Sequence, residues 1–134
     1  MPHIAVFDDS FRATQDMRTL QFAPVKLSTT KDSIAVCTAA TDRVFGIQQS
    51  KPNVGETGRI ALWGRWTALV DGSGTAIAIG DYLGVNSAGT MLVKKATADY
   101  NICAQALDVC TISGGKIDVL LFGALPTVFR TPAG

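Results

Sequence analysis

Short apolar runs, separated by turn residues at close intervals, dominate the sequence from Ala23 onward. Each run has the length of one strand, and no amphipathic stripe of helical length interrupts the pattern. This spacing is typical of an all-β sandwich or barrel. The predicted strands are residues 25–28, 33–38, 44–49, 59–70, 75–79, 82–85, 91–95, 102–110 and 116–122. We therefore expect one small, compact β-barrel or β-sandwich domain over residues 25–123.

The segments between these runs are rich in residues that favour turns. They are residues 29–32, 50–58, 71–74, 86–89 and 113–115. In the fourth of them, Asn86 and Gly89 occupy the first and last positions that a type I turn prefers. The sequence therefore predicts a hairpin over residues 82–95.

The longest predicted strand, RIALWGRWTALV at residues 59–70, displays a tryptophan where a monomer would expose a smaller or charged residue. Strict alternation places Ile60, Leu62, Gly64, Trp66, Ala68 and Val70 on the core face, and Arg59, Ala61, Trp63, Arg65, Thr67 and Leu69 on the other. Tryptophan and arginine are enriched at the energetic centres of protein interfaces. Trp63 and Arg65 are therefore candidates for a subunit interface. The alternatives are a ring covered by another part of the same chain, and a bulge at Gly64 that turns both tryptophans to one side.

The two ends of the chain lack the strand pattern. Residues 1–24 show neither clean alternation nor a sustained helical stripe, and we expect an extended N-terminal arm. A short helix over residues 11–20 and an ordinary first strand packed into the core are the alternatives. Residues 124–134 contain two prolines that exclude regular structure, so we expect a short irregular C-terminal tail.

Composition limits the classes of partner. A length of 134 residues fits one domain, and only 17% of the residues are charged, so part of the uncharged surface is expected to meet another protein. A formal net charge of +1 gives no electrostatic reason to expect nucleic acid or an anionic membrane as the ligand. The uncharged stretches are too short and too interrupted to cross a bilayer. We expect no nucleic-acid and no membrane partner.

The first ten residues and the three cysteines indicate the cellular compartment in which the protein folds. MPHIAVFDDS carries aspartates where a secretory signal has basic residues, so we expect the protein to work where it is made, in a cytoplasm. Three cysteines, Cys37, Cys103 and Cys110, form an odd set that fits a reducing compartment. We expect them to be small buried hydrophobic residues.

A search for catalytic groups finds almost none. The one histidine, His3, lies near the chain end, where an ordered catalytic triad is hard to build. The cysteines lack the close pairing and the further histidines that a zinc site needs. DGSGTAI at residues 71–77 fails as a dinucleotide fingerprint because Ile77 stands at the third glycine position. We expect no enzymatic activity, no catalytic residues, no metal and no cofactor.

The stretch from Gly55 to Gly123 resembles the capsid decoration, or cement, proteins of tailed bacteriophages. Ile77, Gly80, Asp81 and Leu83 match an I-x-x-G-D-x-L unit before a hairpin. Residues 104–107 match a strand that holds the A-L unit, and Gly115 with Val119 and Leu121 matches the last strand. The resemblance covers about half of the chain and does not reach the first 50 residues.

This resemblance implies a structural protein of the virion. Members of that family are β-rich, commonly form trimers, and clamp neighbouring major capsid proteins on the outer surface of the head at three-fold and quasi-three-fold positions. Because terminal arms of the family often contact the shell, Phe7, Phe11 and Arg12 are candidates for capsid binding. The alternatives are another oligomeric β-rich virion component, such as a head fibre or tail protein, and a small-molecule-binding β-barrel.

Overall fold

The described part of the chain consists of strands and turns and contains no helix. The structure is a computed structural model that describes residues 7–95 and 102–122. Its strands are β1 (Phe7–Ala13), β2 (Pro24–Leu27), β3 (Ser33–Val36), β4 (Gly46–Gln48), β5 (Thr57–Asp71), β6 (Tyr82–Val85), β7 (Leu92–Lys94), β8 (Ile102–Ala106) and β9 (Ser113–Leu121). The prediction of an all-β fold is confirmed.

Strand pairing closes the sheet into two rings that share one strand. The pairings run β1–β3–β2–β4–β5 and return from β5 to β1, which gives a first ring of five strands. They continue β5–β7–β6–β8–β9 and return from β9 to β5, which gives a second ring. Closure removes the exposed strand edges on which open sheets aggregate. The 15-residue β5 is long enough to serve both rings, its first half in one and its second half in the other.

The first ring encloses its own apolar cluster. The buried members are Ala13, Met17, Val25, Ile34 and Ile60, and half-buried Phe11, Leu20, Val36, Phe45 and Leu62 pack against them. Four of the five strands of the ring contribute to this cluster. Each fully buried large side chain contributes about 1.5–3 kcal/mol to stability.

The second ring holds the larger cluster, to which all five of its strands contribute. The buried members are Cys37, Val44, Ile47, Ala61, Ala68, Val70, Ile77, Leu83, Val85, Leu92, Cys103, Ala104, Ala106, Cys110, Ile117, Val119 and Leu121. Ile47 and Ala61 belong to strands of the first ring, so this cluster also fills the seam between the rings. The two rings are therefore packed against each other through a common core.

A bulge in β5 makes its double role possible. Phe7 pairs with Trp63 and Asp8 with Ala61, so Leu62 has no partner on β1. An extra residue of this kind bends the strand locally and increases its twist. Ile60 points into the first cluster, whereas its neighbour Ala61 points into the second. Alternation is therefore kept at Ile60 and Ala61, but the face predicted to lie outside is buried at Ala61 because the core of the second ring covers it.

Two further sequence predictions are corrected. Residues 113–115, predicted as a turn, are the start of β9, and Gly114 is an unpaired bulge residue with φ +81° between the Val70–Gly115 and Asp71–Ser113 pairs. Residues 75–79, predicted as a strand, make a single bridge between Ile77 and Cys110.

The segment from Phe7 to Ala23 lies within the first ring. β1 pairs in parallel with β3 and antiparallel with β5, and Met17, which follows it, is fully buried. A first strand packed into the core was the alternative interpretation of this segment, and the short helix over residues 11–20 is not formed. Residues 1–6 of the predicted arm and all of the predicted tail (124–134) lie outside the described residues. Within the described ranges no helix is long and apolar enough to span a membrane.

Candidate interaction surface

The Trp63 side chain lies on the outer face of β5, next to a glycine with an unusual backbone conformation. Gly64, the next residue, has φ +99°, a left-handed conformation that disfavours any residue with a Cβ. The Trp63 side chain is 49% exposed, and it belongs to neither apolar cluster. Trp66 is half-buried against the second cluster, and its indole Nε1 donates a hydrogen bond of 2.7 Å to the Trp63 carbonyl oxygen. The two tryptophans are therefore close in the chain but differ in environment.

A row of outward-facing side chains crosses the second ring beside Trp63. Arg65 lies opposite Leu120, Leu120 opposite Gln105, and Gln105 opposite Tyr82. Residues directly opposite in antiparallel strands project to the same side of a sheet. Leu120 and Tyr82 are 36% and 37% exposed, which is high for large apolar side chains.

Phe122 extends this row at the end of β9. Its ring is half-buried and its centroid lies 6.4 Å from that of Tyr82. We name the outward-facing set Trp63, Arg65, Tyr82, Leu120 and Phe122 the aromatic surface. Large exposed aromatic and apolar side chains on one face of a small protein are a mark of an interaction site.

The polar groups around the aromatic surface are already paired. The Arg65 Nη2 atom lies 2.8 Å from Asp118 Oδ2, in an ion pair whose two side chains are both exposed. Gln105 Nε2 donates to the Gly80 carbonyl oxygen at 3.0 Å. Exposed ion pairs add little stability, but they hold side chains in place. An apolar centre with a paired polar rim is the usual anatomy of a protein interface.

The structure separates the three residues predicted to bind a capsid. Phe11 packs edge-on against Phe45, with ring centroids 5.0 Å apart at 82°, and contributes to the first cluster. Arg12 is exposed and lines an open groove with Lys31 and Asp32 at the end of the first ring. For Phe7 only the backbone is described, and it pairs with Trp63. Of the three, Arg12 is the one whose described side chain is available to a partner.

Two of the three thiols, those of Cys37 and Cys103, are held in their unreactive form. Burial raises the pKa of Cys37 and of Cys103 to about 12. Thiolate is the nucleophilic and metal-binding form of cysteine, so both groups are unsuited to either task. Within residues 7–95 and 102–122, no group of three His, Cys, Asp or Glu side chains is arranged to hold a metal ion. His3 lies outside this part of the chain.

Comparison with known proteins finds similarity at the level of the fold. No model of a known protein family matches the chain, and no curated protein matches it. A solved structure that is similar is the N base of head fibre protein gp8.5 of bacteriophage phi29, with a TM-score of 0.59 and 15% sequence identity. The match covers 90% of this chain and 98% of the other chain. The described architecture is thus shared, almost end to end, with the base of a phage head fibre.

Proposed function

We propose that this protein is a structural component of a bacteriophage head, bound to the outer surface of the assembled shell. The observation that carries the proposal is the fold, which matches a head fibre base over 90% of this chain. The resemblance of residues 55–123 to capsid decoration proteins rests on different features, namely turn glycines and apolar alternation. Both lines support an association with a phage head.

Two roles at that location are compatible with the fold. In the first, the protein is a decoration protein that clamps neighbouring major capsid proteins at three-fold and quasi-three-fold positions. In the second, it is the base by which a head fibre attaches to the shell, and coverage of 98% of the gp8.5 base favours this role. In both, the protein acts by binding and performs no catalysis, and burial of the Cys37 and Cys103 thiols supports this.

The mechanism we infer is multivalent attachment of a homotrimer. Self-association through the aromatic surface would cover Trp63, which is 49% exposed in the single chain. Each chain of a trimer would then present the same shell-binding groups, of which Arg12 is one candidate. Once one chain is bound, binding of the others is effectively intramolecular, so that modest contacts add up to tight attachment.

Binding to heads tests this proposal. Heads of the phage that encodes the protein, assembled without it, are mixed with the purified protein and sedimented. We expect the protein to sediment with expanded heads at a saturating ratio, and cryo-electron microscopy of the particles to show its density on the shell. A protein that stays in the supernatant at every ratio would refute the proposal. Density that continues outward into a fibre would identify the fibre base, and isolated knobs would identify a decoration protein.

A further inference from the structure

A groove with a volume of about 360 Å³ lies on the seam between the two rings. Arg18 and Lys51 line it from loops of the first ring, and Lys116 lines it from β9 of the second. Thr19 and Gln21 add a hydroxyl and an amide. No acidic residue is among the lining residues.

The first-ring wall of the groove is fixed by backbone hydrogen bonds, one of which crosses the seam. The Leu69 amide of β5 donates to the Phe22 carbonyl oxygen at 2.8 Å, and the Phe22 amide donates to the Gln48 carbonyl oxygen at 2.6 Å. Phe22 has φ +71°, a left-handed conformation that is rare for an aromatic residue. Strained residues of this kind persist only where the surrounding structure holds them firmly. The loop that carries the first-ring wall is thus rigidly placed.

Lys116 is positioned by the same contacts. It lies opposite Leu69 in the pairing of β5 with β9, and its ammonium nitrogen is 5.8 Å from the centroid of the Phe22 ring. A cation over an aromatic face is held in place while its hydrogen-bond donors stay available. The strained loop therefore also orients one of the three cations of the groove.

The groove concentrates positive charge that most of the surface lacks. Arg18 shares its charge with Asp16 through a hydrogen-bonded ion pair of 2.9 Å, whereas in the described part of the chain neither Lys51 nor Lys116 has a carboxylate in ion-pair distance. The sequence has 12 Lys and Arg against 11 Asp and Glu, so the nine cations outside this groove are outnumbered by the acidic residues. The positive charge of the groove is therefore confined to a small part of the surface.

We propose that this seam groove binds an acidic segment of a partner protein, with its carboxylates on Lys51 and Lys116. The identification of that partner as a shell protein rests on the function proposed above. The preference of the groove for carboxylates depends only on its own cations. A nucleic acid is a poorer fit because its phosphate backbone needs an extended basic track, which a chain of net charge +1 does not provide. The groove, at about 360 Å³, holds a few side chains and not a folded domain.

Binding of a fluorescently labelled hexaglutamate peptide, followed by anisotropy at low salt, tests the groove directly. The double variant Lys51→Glu/Lys116→Glu is compared with Arg43→Glu/Lys94→Glu, which changes the net charge equally at exposed sites outside the groove. One exposed ion pair contributes up to about fivefold to affinity, and each substitution also replaces an attraction by a repulsion, so we expect the groove variant to bind about tenfold more weakly. We expect the control to stay within about threefold of the wild type, and binding of the wild type to weaken as salt rises.

The possible outcomes separate the alternatives. Equal losses in the two double variants would show that net charge alone attracts the peptide and would overturn the proposal. A labelled oligothymidine that binds more tightly than hexaglutamate, with the same dependence on Lys51 and Lys116, would overturn it in favour of nucleic acid. Thermal melting of each variant tests whether it is folded. If Lys51→Glu/Lys116→Glu does not fold, the neutral Lys51→Gln/Lys116→Gln variant replaces it and is expected to lose affinity by a smaller factor.

The same variants on phage heads distinguish this proposal from the proposed function. If wild-type protein sediments with heads and the groove variant does not, the acidic segment belongs to the shell. If the wild type and the groove variant sediment equally with heads, the groove does not bind a shell protein and the proposed function stands. If neither wild type nor variant sediments while hexaglutamate binding still depends on the groove, the proposed function fails and the groove binds an acidic segment of another protein.

Discussion

Replacing Trp63 by serine should dissociate the proposed trimer while leaving each chain folded. The side chain belongs to neither apolar cluster, so the single chain does not depend on it for its core. The hydrogen bond from the Trp66 indole ends on the Trp63 backbone carbonyl oxygen, which serine retains. The substitution therefore removes exposed aromatic area and little else.

The size of the effect follows from that area. A tryptophan side chain buries about 150–250 Å² when fully covered, so the 49% that Trp63 exposes corresponds to about 100 Å². At about 25 cal/mol per Å², covering this area in an interface contributes about 2.5 kcal/mol for each contact. That energy corresponds to a factor of about 60 in the dissociation constant of each contact. A trimer with three such contacts should thus dissociate at far higher concentrations than the wild type.

Light scattering coupled to size-exclusion chromatography, over a dilution series, measures the mass of the particle. We expect the wild type to keep the mass of a trimer at dilutions where the Trp63→Ser variant has the mass of one chain. Trp63→Phe should fall between them because it retains part of the aromatic area. Leu27→Ser, at a side chain that is 55% exposed on β2, is the matched control and should behave as the wild type. An unchanged mass for Trp63→Ser at every dilution would refute the assignment of Trp63 to a subunit interface.

Two further predictions concern stability. Gly89 and Gly80 both have positive φ, but a Cβ at Gly89 would overlap the Cys37 backbone carbonyl while one at Gly80 meets open space. In urea titrations we expect Gly89→Ala to lower the free energy of unfolding by about 3 kcal/mol and Gly80→Ala by about 1 kcal/mol. Equal losses would contradict the predicted overlap. The backbone amide of Thr38 donates to the Asp42 carboxylate and is the main cause that holds the pKa of Asp42 below its ordinary value of 3.8. A carboxyl group with a lowered pKa in the folded state stabilises the fold above its unfolded-state pKa, and this stabilisation is lost as the pH falls through the folded-state pKa. The melting temperature of the wild type should therefore exceed that of Asp42→Asn at pH 6, and the difference should shrink below about pH 4.

The local features of the fold could be predicted because neighbouring residues determine them. The strand Tyr82–Val85 has the predicted bounds, and the Gly89 amide donates to the Asn86 carbonyl oxygen at 3.0 Å, as the predicted turn requires. Apolar alternation along residues 64–70 likewise predicted which side chains of β5 enter the core. Such patterns depend on residues a few positions apart, whose geometry is the same in any β protein.

The candidate surfaces could be predicted only in part. The sequence singled out Trp63 and Arg65 because a large ring and a cation stood on a predicted outer face, and both are exposed in the structure. It missed the seam groove because Arg18, Lys51 and Lys116 are far apart in the chain and each resembles an ordinary surface cation. No local pattern could have found them.

What the sequence by itself determined is the class of the fold, since strand-length apolar runs separated by turn residues leave a chain of this kind few alternatives to an all-β domain. Only the tertiary structure decided that these strands close into two rings around a shared β5, because closure depends on pairings between strands that are distant in sequence. It also decided the position of the bulge at Leu62 and the packing of the second ring over the face of β5 opposite Ile60, which buries Ala61. A bulge exists only relative to a partner strand, so it cannot be specified until β1 lies beside β5.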